Sequence, residues 1–350
     1  MTEITFAHPD ISFRSLPFWS WNCRVTKELI DRQLPVFKEM GFGGVTIHAR
    51  QGLDVEYLSE EYFSLVSYTI ARCKELGLLC WLYDDDKFPS GSAGGKVTKG
   101  HPEFRGRYLL LTEKRDDGYV AAYALFFEGN ALKEYRRLGN EQEIAAARRT
   151  GGVIRYAYVK LINKEAWFED EAYVDTMNPE ATKEFIRLTH EAFYTRDGAD
   201  FGAVVPAIFT DEPRIGKQKQ ISASLSHEDV FLPYNDYFAA CFQARYVQDP
   251  LDVVPDYIWD RTDGASVLNR YRYRDTTAEC FASAYMGLAP CTTQTQITPG
   301  TAPIPSAPRG KTGRTATACD PWASWPRLKS RKRRSSHESD NHQPRFCSHY

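Results

Sequence analysis

The sequence predicts an α/β fold: an incomplete (β/α)8 barrel of the TIM type, carrying a β-rich insertion and a disordered C-terminal tail. Three observations lead there. Strand and helix patterns alternate with short links over the first 99 residues, the signature of a parallel sheet. The segment Leu78-Leu-Cys-Trp-Leu-Tyr83 is apolar throughout, as a strand covered on both faces would be. No G-x-G-x-x-G follows any strand pattern, which weighs against the structural alternative, an open doubly wound sheet.

The elements follow in order. Leu16 to Asn22 is short and aromatic and reads as a strand ending at Asn22. Thr26 offers an N-cap to a helix with Ile30, Leu34 and Phe37 at helical spacing, closing at Met40-Gly41. Pro35 inside it conflicts with the pattern and should kink or split the helix. Gly44 to His48 is the next strand. Ser59 caps a second helix, with Glu60 and Glu61 at its positive end and Gly77 as its stop. From Tyr108 the pattern turns strand-like at 108–112, 119–127 and 153–159, while 131–149 reads as a surface helix or loop. Ala172 to Asp175 then reads as a barrel strand, and Asn178-Pro179 opens a helix. Val204 to Phe209 is a fifth strand, and helical patterns follow through Tyr285. The chain thus divides into barrel at 1–99, insertion at 100–170, barrel at 171–286 and tail at 287–350.

Composition bounds the function. The chain has 350 residues, 26% of them charged and 42% hydrophobic, with no apolar run near 18 residues, so a membrane span is not expected. The N-terminus shows neither a basic nor an apolar leader region, and a cytoplasmic location is expected. The eight cysteines include no C-x-x-C pair and read as reduced thiols. The formal charge of −2 hides a balance of +7 over 287–350 against −9 over 1–286. The tail is rich in Pro, Ser and Thr and has almost no periodic apolar pattern, so it cannot offset the entropy of folding. Its run Lys329-Ser-Arg-Lys-Arg-Arg334 has the look of a nucleic-acid patch, yet no nucleic-acid partner is expected from a tail alone. The sequence leaves the oligomeric state open.

In such barrels the working residues sit at the C-terminal ends of strands. Those ends supply Trp21, Asn22, His48, Arg50, the aspartates 84–86, Asp175, Asp211 and Glu212. Carboxylates beside aromatic faces suit carbohydrate, since sugar C–H faces pack on rings and hydroxyls bond to acids. Each residue also has a plainer reading. Thr210-Asp-Glu-Pro213 could be a helix entry, the aspartates 84–86 a solvated turn, His48 a structural histidine and Trp21 a core residue.

The motifs in series are more specific. Pro17-Phe-Trp-Ser-Trp-Asn22, Gly41-Phe-Gly-Gly-Val-Thr-Ile-His-Ala-Arg-Gln-Gly52, Tyr57-Leu-Ser-Glu-Glu61, Trp81-Leu-Tyr-Asp-Asp-Asp86 with Pro89-Ser-Gly-Ser-Ala-Gly-Gly95, Asp175-Thr-Met-Asn-Pro-Glu-Ala181 and Ile208-Phe-Thr-Asp-Glu-Pro-Arg214 occur in order. Over roughly residues 14–286 the chain resembles the N-terminal part of the catalytic barrel of the bacterial α-L-rhamnosidase-like glycoside hydrolases of family 106. The resemblance implies hydrolysis of a terminal α-L-rhamnosyl or related deoxy-sugar linkage with inversion, assisted by a calcium ion. It implies Glu212 as the acid, a role that a pKa raised by burial would suit, with His48, Arg50, Asp85 and Asp175 lining the sugar site; Trp21, Asn22 and Asp211, at the strand ends beside them, read as further sugar-binding residues. The aspartates 84–86 could contribute to the calcium, whose ligands the resemblance does not fix. The family pattern stops after Tyr285-Met286, before the later glutamate expected as the second carboxylate. Residues 287–350 read as the product of a reading-frame error, and the chain as written is expected to be unstable and inactive. A carbohydrate-binding remnant without catalysis is the alternative.

Overall fold

The computed structural model describes residues 9–286; the tail at 287–350, its basic run and Cys291, Cys319 and Cys347 lie outside them. The first half alternates strand and helix: β1 (Phe18–Trp21), α1 (Lys27–Glu39), β2 (Gly44–Ala49), α2 (Glu60–Leu76) and β3 (Leu79–Tyr83). Both helices start where the sequence puts their caps. Thr26 Oγ1 accepts from the Leu29 amide and Ser59 Oγ from the Tyr62 amide, and Gly77 closes α2 in the left-handed conformation at φ 68°. Pro35 neither splits α1 nor shortens it.

The chain then forms β4 (Arg107–Thr112), β5 (Ala121–Glu128), β6 (Ala131–Leu138), α3 (Glu141–Arg149), β7 (Val153–Leu161), β8 (Lys164–Glu165) and β9 (Glu171–Ala172). The helices α4 (Pro179–Leu188) and α5 (His190–Asp197) follow, then β10 (Ile208–Phe209), β11 (Val230–Pro233), α6 (Asp236–Tyr246), α7 (Val254–Ile258) and α8 (Ser266–Met286). The result is a mixed α/β fold with two principal sheets. One is parallel, in the order β1-β2-β3-β10, curled like half a barrel. The other is antiparallel, in the order β11-β4-β7-β5-β6.

Among the described residues four parallel strands are present where the sequence suggests five. Ala172 to Asp175 does not join the parallel sheet. Its first residue pairs antiparallel with β8, Val174 bridges Arg105, and the Asp175 amide donates to the Phe104 carbonyl. The pattern in 204–209 shrinks to two paired residues, although the Val204 and Ala207 carbonyls still accept from Cys80 and Leu82. Pro206 interrupts it, having no amide to give a ladder. The stretch 131–149 is strand β6 and then helix α3, because Gly129-Asn130 makes a tight turn that folds 131–138 back onto β5. Residues 230–233, read as helical, form β11 and pair with β4, so the antiparallel sheet draws a strand from outside 100–170. Residues 210–213 enter no helix.

Register decides which side chains share a face of the parallel sheet. Phe18 pairs with Thr46, Ser20 with His48, Thr46 with Trp81, and Tyr83 with Phe209. These residues point to one side. Trp19, Trp21, Val45, Ile47, Cys80, Leu82 and Ile208 point to the other, where α1, α2 and Phe193 of α5 bury them. Among the described residues, α1, α2 and α5 all lie on this one face, whereas a doubly wound sheet has helices on both. Gly44 makes the packing of β2 on β3 possible: a Cβ there would lie 2.0 Å from the Leu79 carbonyl oxygen. Among the described residues, no helix is long and apolar enough to cross a membrane, and Cys23, Cys73, Cys80, Cys241 and Cys280 are free thiols.

Candidate functional site

The face of the parallel sheet opposite α1 and α2 carries an aromatic cluster near its C-terminal edge. His48 lies 4.1 Å from the Tyr83 ring and 5.0 Å from Phe18, Phe18 lies 5.2 Å from Phe209, and Tyr83 stacks on Phe209 at 5.8 Å. Phe18 is 52% exposed. Strand alternation sends Trp21 the other way: it is 1% exposed, packed edge-on against Trp19 and Tyr62 in the helix-side core, so it cannot serve as a sugar platform. Asn22, one residue on, is exposed with no side-chain hydrogen bond to the described residues. Phe18, Tyr83 and Phe209 are what the sequence reading missed. The signal was available, since strand parity assigns one of each alternating pair to each face.

His48 is buried, and its Nε2 finds no partner among the described residues. Burial, and then the Arg50 guanidinium, hold its pKa down to about 4, so the ring is neutral at pH 7. Arg50 is exposed at the strand end.

Three of the candidate carboxylates are committed to the fold. Asp85 is fully buried. Its Oδ2 accepts from the amides of Gly91, Ser92 and Ala93 at 2.9, 2.7 and 3.0 Å, and its Oδ1 from Asp86 and Gly94 at 2.8 and 3.2 Å. Burial and the adjacent Asp86 carboxylate push the Asp85 carboxyl up, and the amides oppose them. The residue shapes the loop after β3 and does not face a ligand. Asp84 is equally buried, accepting from Ser90 Oγ at 2.6 Å and Thr210 Oγ1 at 2.5 Å, with His190 Nε2 at 3.0 Å. Asp175 is buried, accepting from the Met177 amide and, at 2.8 Å, from Asn235 Nδ2. Asn235 in turn caps α6. Burial raises the Asp175 carboxyl to about 6.

What remains at the edge is Asp86, Asp211 and Glu212. Asp211 Oδ2 accepts from Tyr83 Oη at 3.1 Å, which ties it to the aromatic cluster. Glu212 is exposed, not buried as an acid of this kind was expected to be, and has no side-chain hydrogen bond to the described residues. Its backbone is left-handed at φ 40°, uncommon for a non-glycine residue and a strain that persists only where the surroundings impose it. They do. On one side the Asp211 amide donates to Ser90 Oγ, and the Asp211 carbonyl accepts from the Ser90 amide, both at 2.9 Å. On the other, the Arg214 amide donates to Tyr173 Oη at 2.9 Å and its carbonyl accepts from Thr176 Oγ1 at 2.6 Å. Tyr173 Oη also donates to the Ser90 carbonyl at 2.7 Å, closing the loop.

The oxygens of Asp84 and Asp85 are already taken, and the described residues contain no group of three His, Cys, Asp or Glu side chains placed to share a metal. This donor set does not fit the several oxygens a calcium ion requires. Beside the edge, between the segment after β2 and the loop after β3, lies a cleft of about 430 Å³ that includes Arg50, Tyr57 and Asp86 in its walls.

No family model matches the chain, and no curated protein sequence matches it. Among solved structures, a rhamnosidase from Novosphingobium sp. PP1Y is similar over 80% of this chain and 45% of that one, with a TM-score of 0.45 and 12% identity. The chain spans less than half the length of that protein.

Proposed function

We propose that the chain is a carbohydrate-active module of glycoside hydrolase type, acting on terminal α-L-rhamnosyl or related deoxy-sugar linkages, with Glu212 as the acid. The observation that supports this best is the Glu212 backbone. A residue forced into a left-handed conformation by hydrogen bonds on both sides, at the C-terminal edge of a parallel sheet, is where strain and chemistry tend to coincide. The ordered motifs of the sequence support the choice of sugar. Phe18 and Phe209 offer C–H-binding faces, and neutral His48 and Asp211 offer polar contacts.

In an inverting reaction Glu212 gives its proton to the glycosidic oxygen while a second carboxylate takes one from water on the opposite face of the ring, the pair standing about 6.5–9.5 Å apart. Since Asp84, Asp85 and Asp175 have committed their oxygens, Asp86 and Asp211 are the strand-end carboxylates left to bind water or hydroxyls. A non-catalytic sugar-binding role is the second reading, favoured by the exposure of Glu212.

The test is hydrolysis of an aryl α-L-rhamnoside, with the anomer of the released sugar read by NMR, alongside titration with methyl α-L-rhamnoside. Inverting hydrolysis that falls by a factor of about 10² or more in Glu212→Gln supports the catalytic reading. Rhamnoside binding without hydrolysis, unchanged in the variant, supports the binding reading. Neither binding nor hydrolysis overturns the proposal.

A further inference from the structure

Helices α6 and α8 bring two cysteines together. Cys280 on α8 is fully buried in a core it shares with Phe238 and Phe242 of α6, and Cys241 on α6 is half-buried against the same core. Both are free thiols, and they are hydrogen-bonding neighbours. Contacts one turn to either side hold the two helices in this register. Arg245, one turn beyond Cys241, pairs with Asp275 and lies 3.7 Å from Glu279, while Tyr246 Oη donates to Asp275 at 2.9 Å. Tyr237, one turn before Cys241, has the Cys241 thiol and the Ser283 hydroxyl as its own hydrogen-bonding neighbours. The two thiols therefore face each other between pinned points.

They differ in reach. A soluble reagent can meet the half-buried Cys241. Burial, and then the neighbouring Cys241, push the Cys280 thiol up, so it stays protonated and reacts only through its partner. The molecule holds a comparison within itself. Cys73 on α2 and Cys80 on β3 are also hydrogen-bonding neighbours, but both are fully buried, so no reagent meets either in the folded chain.

We infer that Cys241 and Cys280 are a redox pair, which a small-molecule disulfide such as oxidised glutathione closes into a bond that fastens α8 to α6. The Cys241 thiolate attacks one sulfur of the reagent, breaking its S–S bond and releasing a thiolate that takes up a proton. Cys280 then gives its proton to solvent and attacks Cys241 Sγ, expelling the second thiolate. Two protein thiols are oxidised, and one small disulfide is reduced to two thiols. The bond closes the loop 241–280 and so removes freedom from the unfolded chain. Helix α8 also carries Tyr285, whose ring lies 6.1 Å from Phe185 on α4, and Phe185 lies 6.1 Å from the His190 that bonds Asp84. Fastening α8 thus braces the packing behind Asp84, whatever ligand the strand ends take.

The experiment equilibrates the full chain, folded, in glutathione buffers from reduced to oxidised, blocks the remaining thiols with iodoacetamide and maps the linkages by peptide mass spectrometry. Urea unfolding is followed on each form. The expected result is a Cys241–Cys280 linkage as the main one in the oxidised chain, with Cys73 and Cys80 recovered as thiols. The urea midpoint of the oxidised form should lie about 1 M above that of the reduced form, and reductant should return it. That difference should vanish in Cys241→Ser and in Cys280→Ala, each compared with itself in the two buffers so that any cost of the substitution cancels. Cys241 held as a mixed disulfide with glutathione while Cys280 stays free overturns the inference. So does a linkage that forms only in urea, a main linkage elsewhere in the chain, or a midpoint difference that survives Cys241→Ser.

Discussion

Asp85→Asn should lower the stability of the whole fold, which a residue serving only the ligand would not do. The carboxylate collects five backbone amides, three on Oδ2 and two on Oδ1. Asparagine keeps one acceptor oxygen, and its best orientation leaves that oxygen on the three-donor side. The Asp86 and Gly94 amides then face an NH2 group and lose their bonds. Hydrogen bonds to a charged group are worth about 1.5–3 kcal/mol each, so two lost bonds cost about 3–6 kcal/mol. Relief from burying a charge offsets part of this, and a net loss of about 2–4 kcal/mol is expected. Urea unfolding followed by tryptophan fluorescence reads it. With a slope of about 3 kcal/mol per molar for a chain of this size, the midpoint should fall by about 1 M. Hydrogen exchange should quicken first at residues 91–94. A midpoint shifted by less than about 0.2 M at constant slope would refute the reasoning, and would return Asp85 to the list of ligand-facing groups.

Three further predictions follow from the same geometry. Trp21→Ala should cost about 3–5 kcal/mol of stability, as the loss of a fully buried indole does, whereas Phe18→Ala should cost under about 1 kcal/mol and weaken rhamnoside binding instead; the reverse pattern in melts and titrations would mean the two faces of β1 are misassigned. Gly44→Ala should cost about 3 kcal/mol or more, because its methyl group meets the β3 backbone, while Gly41→Ala, with open space but φ 85°, should cost about 1 kcal/mol. His48 has a folded-state pKa of about 4 against 6.5 unfolded, so its contribution is complete above pH 6.5 and is lost as pH falls toward 4, by about 2 kcal/mol between pH 7 and pH 5. Asp175, raised to about 6, acts in the opposite sense, its penalty growing as pH rises from 3.8 to 6. The wild-type profile is therefore a composite. Subtracting the urea-derived profile of His48→Asn isolates the histidine, and a flat difference would show that the ring is not held neutral by its surroundings.

What the sequence made legible was local. Thr26, Ser59 and Gly77 mark helix ends through bonds to backbone groups three or four residues away, so the information sits within one turn. The strands that went astray depend on distant partners. Residues 230–233 become β11 only because β4, more than a hundred positions earlier, offers an edge to pair with. Residues 172–175 leave the parallel sheet because Arg105, Phe104 and β8 take their hydrogen bonds. Nothing in either segment encodes those partners. Pro35 errs in the other direction: the local rule says break, and the burial of Ile30 and Leu34 against the sheet outweighs it.

The sequence placed the candidate acids after strand patterns, but it did not show which of them the fold itself uses. Every carboxylate singled out follows a strand or an extended segment, and a row of acids reads the same whether it faces solvent, substrate or backbone. The distinguishing signal lies downstream. Ser90-Gly-Ser-Ala-Gly-Gly95 is a run of small residues whose chain can curl until several amides converge, and such a run needs an acceptor at its centre. Asp85 supplies that acceptor and is thereby withdrawn from the ligand. Asp84 is withdrawn in the same way, by Ser90, Thr210 and His190, and in doing so it ties the segment before Glu212 to the loop after β3. The buried acids therefore hold the segment that carries the exposed one. They fix Ser90, Ser90 fixes Asp211, and Tyr173 and Thr176 fix Arg214, so the strained residue between them stands on a rigid frame. Cutting that frame at Ser90→Ala should relax Glu212 without touching it. Any activity or sugar affinity that depends on its orientation should then fall, while the Glu212 side chain itself remains intact.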